Sequence, residues 1–204
     1  MNGFIYLASQ SPRRRQLLEQ IGVRHELLLP GAEEDAEALE AVLAGEQPEA
    51  YCARVTGAKL EAAVQRHAAR GLPAAPILCA DTTVAVDGLI LGKPVDEADA
   101  ARMLGLLSGR THRVITAVAV GEGEGDGGRR ARALNVSQVQ FAPLSPAQVE
   151  RYVASREPFG KAGSYAIQSQ AAAWIVNISG SYSGIMGLPL FETAQLLSTF
   201  GLDV

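Results

Sequence analysis

A chain of 204 residues, 48% hydrophobic and 20% charged, can build one large domain or two small lobes around a shared core. Its formal net charge of -4 supplies no broad basic face, which argues against non-specific nucleic-acid binding, and no apolar run reaches transmembrane length. Two cysteines, Cys52 and Cys79, are neither a disulfide framework nor a metal-ligand spacing, and the N-terminus lacks a signal peptide's basic-then-apolar layout. Buried free thiols in a cytoplasmic protein are the expectation.

In chain order, residues 4–8 read as a short strand closed by Ser9-Gln10-Ser11-Pro12, with Ser11 placed to cap a helix whose first position is Pro12. Free amides at that helix start, the hydroxyls of Ser9 and Ser11 and the run Arg13-Arg14-Arg15 suit an anion site. At 100° per residue the three arginines cannot all face one ligand, and a solvated basic face is the competing explanation. Residues 23–29 read as a second strand. An acidic piece, Glu33-Glu34-Asp35, then opens an excursion over residues 36–47, weakly helical and ended by Gly45. A long helix runs from Pro48 towards Arg70, with Lys59 between apolar neighbours, either snorkelling to solvent or pairing with an anion.

The stretch 77–94 organises the rest. An apolar, β-branched run is interrupted by Asp81, at the end of a strand, and followed by Thr82 and Thr83; Asp87-Gly88 is a tight-turn signal, and a second short run ends in Gly92-Lys93-Pro94. A strand holds a carboxylate stiffly, and a buried unpaired charge is costly, so Asp81 needs a metal, a cation or hydrogen-bond donors beside it. Capping of the strand through Thr82 and Thr83 is the alternative.

Further on, Asp96 and Asp99 have the form of a capping box before a helix, residues 112–120 and 131–141 are strands joined by a glycine-rich loop, and Ser145-Pro146-Ala147-Gln148 opens another helix. Arg156, Glu157, Gly160 and Lys161 fall in a loop, residues 165–168 and 174–178 read as short strands, and 179–184 as a polar turn able to wrap a ligand. A last helix begins near Pro189. Strands alternate with helices but hairpins interrupt them, so a mixed sheet covered by helices is expected. The three histidines, His25, His67 and His112, lack metal-ligand spacing, and no G-x-S-x-G elbow is present.

This polar set suits a polyphosphate ligand. The Ser/Arg helix start can bind phosphates, and Lys59, Lys93 and Lys161 can neutralise them. Asp81 with Glu33 or Glu34 can hold a divalent ion or orient a water, and Gln168 can read a base edge or direct a water. Binding without turnover would use nearly the same groups.

The chain resembles the Maf-like nucleotide pyrophosphatases. The motifs are L-A-S-Q-S-P-R-R at 7–14, A-D-T-T-V at 80–84, G-K-P at 92–94, S-G-R-T-H-R-V at 108–114, E-P-F-G-K-A-G-S-Y-A-I-Q at 157–168 and G-L-P-L at 187–190. Six ordered motifs over the whole length are specific where one would not be. The resemblance implies a single domain over 1–204 of Maf/ITPase-like α/β fold, with a mixed central sheet, flanking helices and two lobes around a cleft. It implies hydrolysis of nucleoside triphosphates to monophosphate and pyrophosphate with Mg2+ or Mn2+, in a cytoplasmic homodimer. Asp81, Lys59 and Lys93 take catalytic positions; Ser9, Ser11, Arg13, Arg14, Thr82, Lys161 and Gln168 take substrate positions; Glu33 or Glu34, together with Asp81, takes the metal. Arg13, Lys161 and Gln168 match the branch acting on dTTP and UTP rather than the relative preferring 7-methyl-GTP. The chain departs from the pattern in a longer 36–47 excursion, in Gly57-Ala58-Lys59-Leu60 where R-E-K-A is usual, in Gly184-Ile185 where asparagine-valine is usual, and in Ser169 where glycine is common.

Overall fold

Two long strands, β3 (Ile77–Val86) and β5 (Thr111–Glu122), lie antiparallel at the centre of the molecule and are buried over most of their length. The computed structural model describes residues 3–31, 34 and 38–204. Around the central pair, β1 (Ile5–Leu7), β2 (His25–Leu27), β6 (Arg129–Phe141) and β7 (Ile175–Ser179) complete the order β2-β1-β3-β5-β6-β7, and β4 (Leu89–Leu91) pairs with the far end of β3. The β1 pairings with β2 and β3 are parallel and the rest antiparallel, so the sheet is mixed, as the hairpin pattern implied. The β3–β4 turn is Asp87-Gly88 with φ of 50° and 79°, the two left-handed residues that a tight hairpin of matching twist requires.

Helices cover both faces. On one, α1 (Pro12–Gln20), α3 (Glu97–Leu107), α4 (Pro146–Ala154) and α6 (Leu190–Thr199) bury Leu17, Leu18, Met103, Leu104, Tyr152 and Leu197 against Leu78, Val84, Val118 and Val139. On the other, the α2 helix (Pro48–Ala69) lays Leu60, Ala63 and Val64 on Ile77, Cys79 and Ala119, and Cys52 on Ala85, Ile115 and Ala117. Both cysteines are free and buried. Among the described residues no helix is long and apolar enough to cross a membrane.

Several local expectations need correction. Asp81 stands mid-strand, not at a strand end. Ser11 occupies the N-cap of α1 but its side chain makes no capping bond. Asp96 does cap α3, accepting from Asp99 N–H, yet the Asp99 carboxylate turns to Val95 N–H, so the box is open. The box at Ser145 and Gln148 is closed, with both reciprocal bonds. Residues 165–168 form no strand. The left-handed backbone of Gly163 and Ser164 (φ 66° and 64°) breaks the chain just before them, and β7 already occupies the outer edge of β6. The expected polar turn contains a one-turn helix, α5 (Tyr182–Ile185), capped by Ser181.

Candidate active site

The sheet has a notch, and the cleft is built there. One edge of β3 is paired by β1 only at Ile77 and Leu78 and by β4 only from Val84 onwards. The chain leaves β1 at Ala8, whose N–H makes the last bond on this edge, to the Leu78 carbonyl, and turns into α1. Residues 80–83 therefore line an opening of about 780 Å³ instead of a neighbouring strand. Because successive side chains of a strand point to opposite faces, Asp81 faces α2 and Thr82 faces α1. One short segment thus serves both walls.

On the α2 wall, Lys59 Nζ donates to Asp81 Oδ1 at 2.6 Å and to Glu40 Oε1 at 2.7 Å, and Lys93 Nζ donates to Glu40 Oε2 at 2.9 Å. Burial alone would lower the Lys59 pKa, but the Asp81 and Glu40 carboxylates outweigh it and hold the ammonium above its usual value. Burial likewise opposes ionisation of Glu40, and the two lysines outweigh it, so its pKa lies below the usual carboxylate value. Thr83 Oγ1 reaches Asp81 Oδ2 at only 3.4 Å, so Lys59 and not strand capping is the principal partner of Asp81.

On the α1 wall, Arg14 donates from Nε to the Gly187 carbonyl at 2.8 Å, from Nη1 to Ser9 Oγ at 3.1 Å and from Nη2 to Thr82 Oγ1 at 3.4 Å. Thr82 Oγ1 lies 3.0 Å from Thr116 Oγ1, which donates to the Gly184 carbonyl at 2.8 Å. Ser9 Oγ also accepts the Ser11 N–H at 3.2 Å. Pro12 has no N–H, and the amides of the first turn of α1 open towards the cleft with Ser11 and Arg13 beside them. Arg15 is exposed and outside the lining, so the structure settles how the three arginines divide. Lys161 enters from the loop after α4, held by the Glu157 carbonyl; burial, then the nearby Arg13 charge, lowers its pKa.

The expected residues therefore converge, with exceptions. Ser9, Ser11, Arg13, Arg14, Lys59, Asp81, Thr82, Lys93 and Lys161 all line the cleft. Gln168 does not: it is exposed and only its neighbours Ala166 and Ile167 line the wall. Glu33 lies outside the described residues. Glu34 lines the cleft but is clamped, accepting Arg66 Nε and Nη2 at 2.6–3.0 Å and the Gly31 N–H at 2.9 Å, and its pKa falls to about 2 through the Arg66 hydrogen bonds first and the Gly31 bond second. Both its oxygens are already committed. Two residues were missed by sequence reasoning, Arg66 and Glu40. Arg66, 9% exposed, also donates to the Leu28 carbonyl at 3.0 Å. A lone arginine near a helix end gave no signal, and Glu40 sat in an excursion without periodicity. At the departure from R-E-K-A, a Cβ on Gly57 would lie 3.1 Å from the Arg132 guanidinium of β6, so that turn of α2 still has an arginine packed against it.

Residues 4–200 match the family model described as Maf-like protein. The chain belongs to the Maf-like protein family. Similar to this Maf-like chain are the dTTP/UTP pyrophosphatase of Albidiferax ferrireducens, 63% identical over 204 residues with 100% of both chains covered, and that of Ralstonia nicotianae, 63% identical over 194 residues with 95% and 92% covered. Among solved structures, a nucleoside-triphosphatase / dITP/XTP pyrophosphatase from Mycobacterium abscessus is 18% identical over 69% of this chain and 75% of that one, with a TM-score of 0.43.

Proposed function

We propose that this Maf-like chain hydrolyses dTTP and UTP to the monophosphate and pyrophosphate. The observation that carries the reading is the notch itself, which sets a carboxylate, Asp81, between an anion-binding helix start and three lysines. Support for the substrate comes from relatives at 59–63% identity that are dTTP/UTP pyrophosphatases. The triphosphate lies along the cleft with its oxygens on the α1 amides, Arg13, Arg14, Lys93 and Lys161, positioned donors that need no reorganisation as charge develops on the leaving pyrophosphate. Asp81 aligns and deprotonates a water for attack on the α-phosphorus, and Lys59 fixes the carboxylate's orientation.

A divalent cation is part of the reading. Hard cations such as Mg2+ take oxygen ligands, commonly one or two carboxylates completed by substrate phosphates. The cleft fits that pattern through Asp81, whose Oδ2 carries, among the described residues, only the long Thr83 contact. Glu34, engaged by Arg66, does not fit as a ligand in this conformation. When bound, the cation supplies phosphate charge neutralisation and polarisation. The homodimer, the cytoplasmic location and the absence of a nucleic-acid partner belong to the same reading.

The test is product-resolved hydrolysis of dTTP, UTP, CTP, GTP and 7-methyl-GTP with Mg2+ and with Mn2+, beside an Asp81→Asn protein. Pyrophosphate with dTMP or UMP is expected, and kcat in the variant should fall by about 10²-fold or more, the usual worth of a positioned base. Turnover confined to 7-methyl-GTP, or undiminished in the variant, would overturn the reading.

A further inference from the structure

The excursion between β2 and α2 delivers a carboxylate into the cleft. Residues Ala38–Glu40 form a single 3-10 turn, and the Glu40 side chain spans two cations from separate elements, Lys59 of α2 and Lys93 after β4. The turn is held from behind. Tyr51 Oη donates to the Glu40 carbonyl at 2.9 Å, and Arg54, one helical turn on, donates to the Ala41 carbonyl at 2.8 Å. Arg54 also forks onto Glu46 at 2.7 and 2.8 Å, and Glu46 takes the Leu43 N–H at 3.3 Å. Backbone and far end are thus tied to α2, while among the described residues the Glu40 carboxylate is tied to the two ammonium groups alone.

A phosphate group is an acceptor-only anion whose oxygens are spaced much like those of a carboxylate, so it meets the same two donors in the same way. It cannot do so while Glu40 is there, because two anions on one pair of ammonium groups repel each other in a partly desolvated cleft. We propose that Glu40 is a resident competitor for the polyphosphate: in the free protein it holds Lys59 and Lys93 in position, and the substrate's phosphates displace it. A ligand that engages the cleft at several phosphates can displace it; one with a single phosphate gains too little, so Glu40 selects polyphosphates and, on returning, assists release of pyrophosphate. Glu40 is on this account a specificity residue and takes no part in bond breaking. The inference rests on the proposed function for the identity of the substrate.

The experiment is Glu40→Gln, which keeps the shape and removes the charge. KM for dTTP and the inhibition constant of inorganic pyrophosphate should both fall about 3- to 10-fold, with kcat unchanged or lowered less than threefold by slower product release. Binding of inorganic pyrophosphate without divalent cation, measured by calorimetry, should tighten to the same extent, and binding of inorganic phosphate should strengthen until it is readily detected. A hundredfold loss of kcat with KM unchanged or raised would place Glu40 in the chemistry or on the cation and overturn the proposal. Unchanged KM and pyrophosphate affinity would overturn it too, making Glu40 a bystander. The pyrophosphate arm needs no turnover, so failure of wild-type protein to hydrolyse dTTP would count against the proposed function and leave the Glu40 result readable.

Discussion

Arg14 donates to a carbonyl near the far end of the chain, to a serine before its own helix and to a threonine of the central strand. Those bonds fix a planar fork in the cleft wall, which a lysine's single ammonium could not reproduce. A second group, His112, drew no role from the sequence beyond its lack of metal-ligand spacing. It is 1% exposed, stacked edge-on against Phe141 and Tyr165, with Nε2 2.7 Å from Tyr165 Oη and Nδ1 without a partner among the described residues. Burial lowers its pKa to about 4, so the folded protein keeps it neutral. An unfolded histidine takes its proton near pH 6.5, so between about 6.5 and 4 the unfolded chain binds the extra proton and stability falls as pH falls. The full contribution is of the order of 3 kcal/mol, present above about pH 6.5 and lost by about pH 4. Denaturant melts of wild type and His112→Phe across this range should show the wild type losing stability more steeply on acidification; parallel curves would mean that His112 titrates normally.

At the scale of elements, placement of Lys161 depends on a close approach. The loop after α4 crosses β3 at Gly163, where φ is 66° and a Cβ would sit 2.8–2.9 Å from the branched side chain of Val84. Gly163 N–H also donates to the Gly92 carbonyl at 3.1 Å, tying the loop to the turn that carries Lys93. Gly163→Ala therefore meets both a left-handed backbone and a β-branched neighbour in a packed core. It should destabilise the protein by about 2 kcal/mol or more and raise KM for dTTP while leaving kcat nearer wild type. Thermal melts and steady-state kinetics check both halves, and a neutral substitution would show that the loop can lift away freely. Features of this kind mark the limit of what the sequence disclosed. The long helix from Pro48, the Asp87-Gly88 hairpin and the Ser145–Gln148 cap rest on local chemistry within a few residues, and each was legible. Asp81 was legible as a charge out of place, but its position beside a notch depends on how far β1 runs along β3, which no local pattern encodes. Glu40 was invisible for the same reason: its role comes from Tyr51 and Arg54 holding an aperiodic loop over α2. Gln168, included for its base-reading amide and by the resemblance, proved exposed.

Across the whole molecule the charge is unevenly spread. The chain carries a formal -4, yet the described cleft lining contains six cationic side chains, Arg13, Arg14, Lys59, Arg66, Lys93 and Lys161, against three anionic ones, Glu34, Glu40 and Asp81. A cleft with a surplus of three positive charges in an otherwise acidic protein focuses its field outward and attracts a polyanion there. Neutralisation inside the cleft limits that field, because Glu34 is clamped by Arg66 and Glu40 by two lysines. The balance is measurable. Over about 0.05 to about 0.5 M salt, at fixed free divalent cation, the Debye length shrinks several-fold, from more than about 10 Å to under about 5 Å. The cleft surplus then predicts that kcat/KM for dTTP falls several-fold over that range while kcat changes little, since the bound triphosphate sits among partly desolvated partners that salt screens less. A flat kcat/KM would mean that the three internal carboxylates cancel the cleft's field before the substrate arrives, leaving capture to short-range contacts with Arg14 and the first turn of α1.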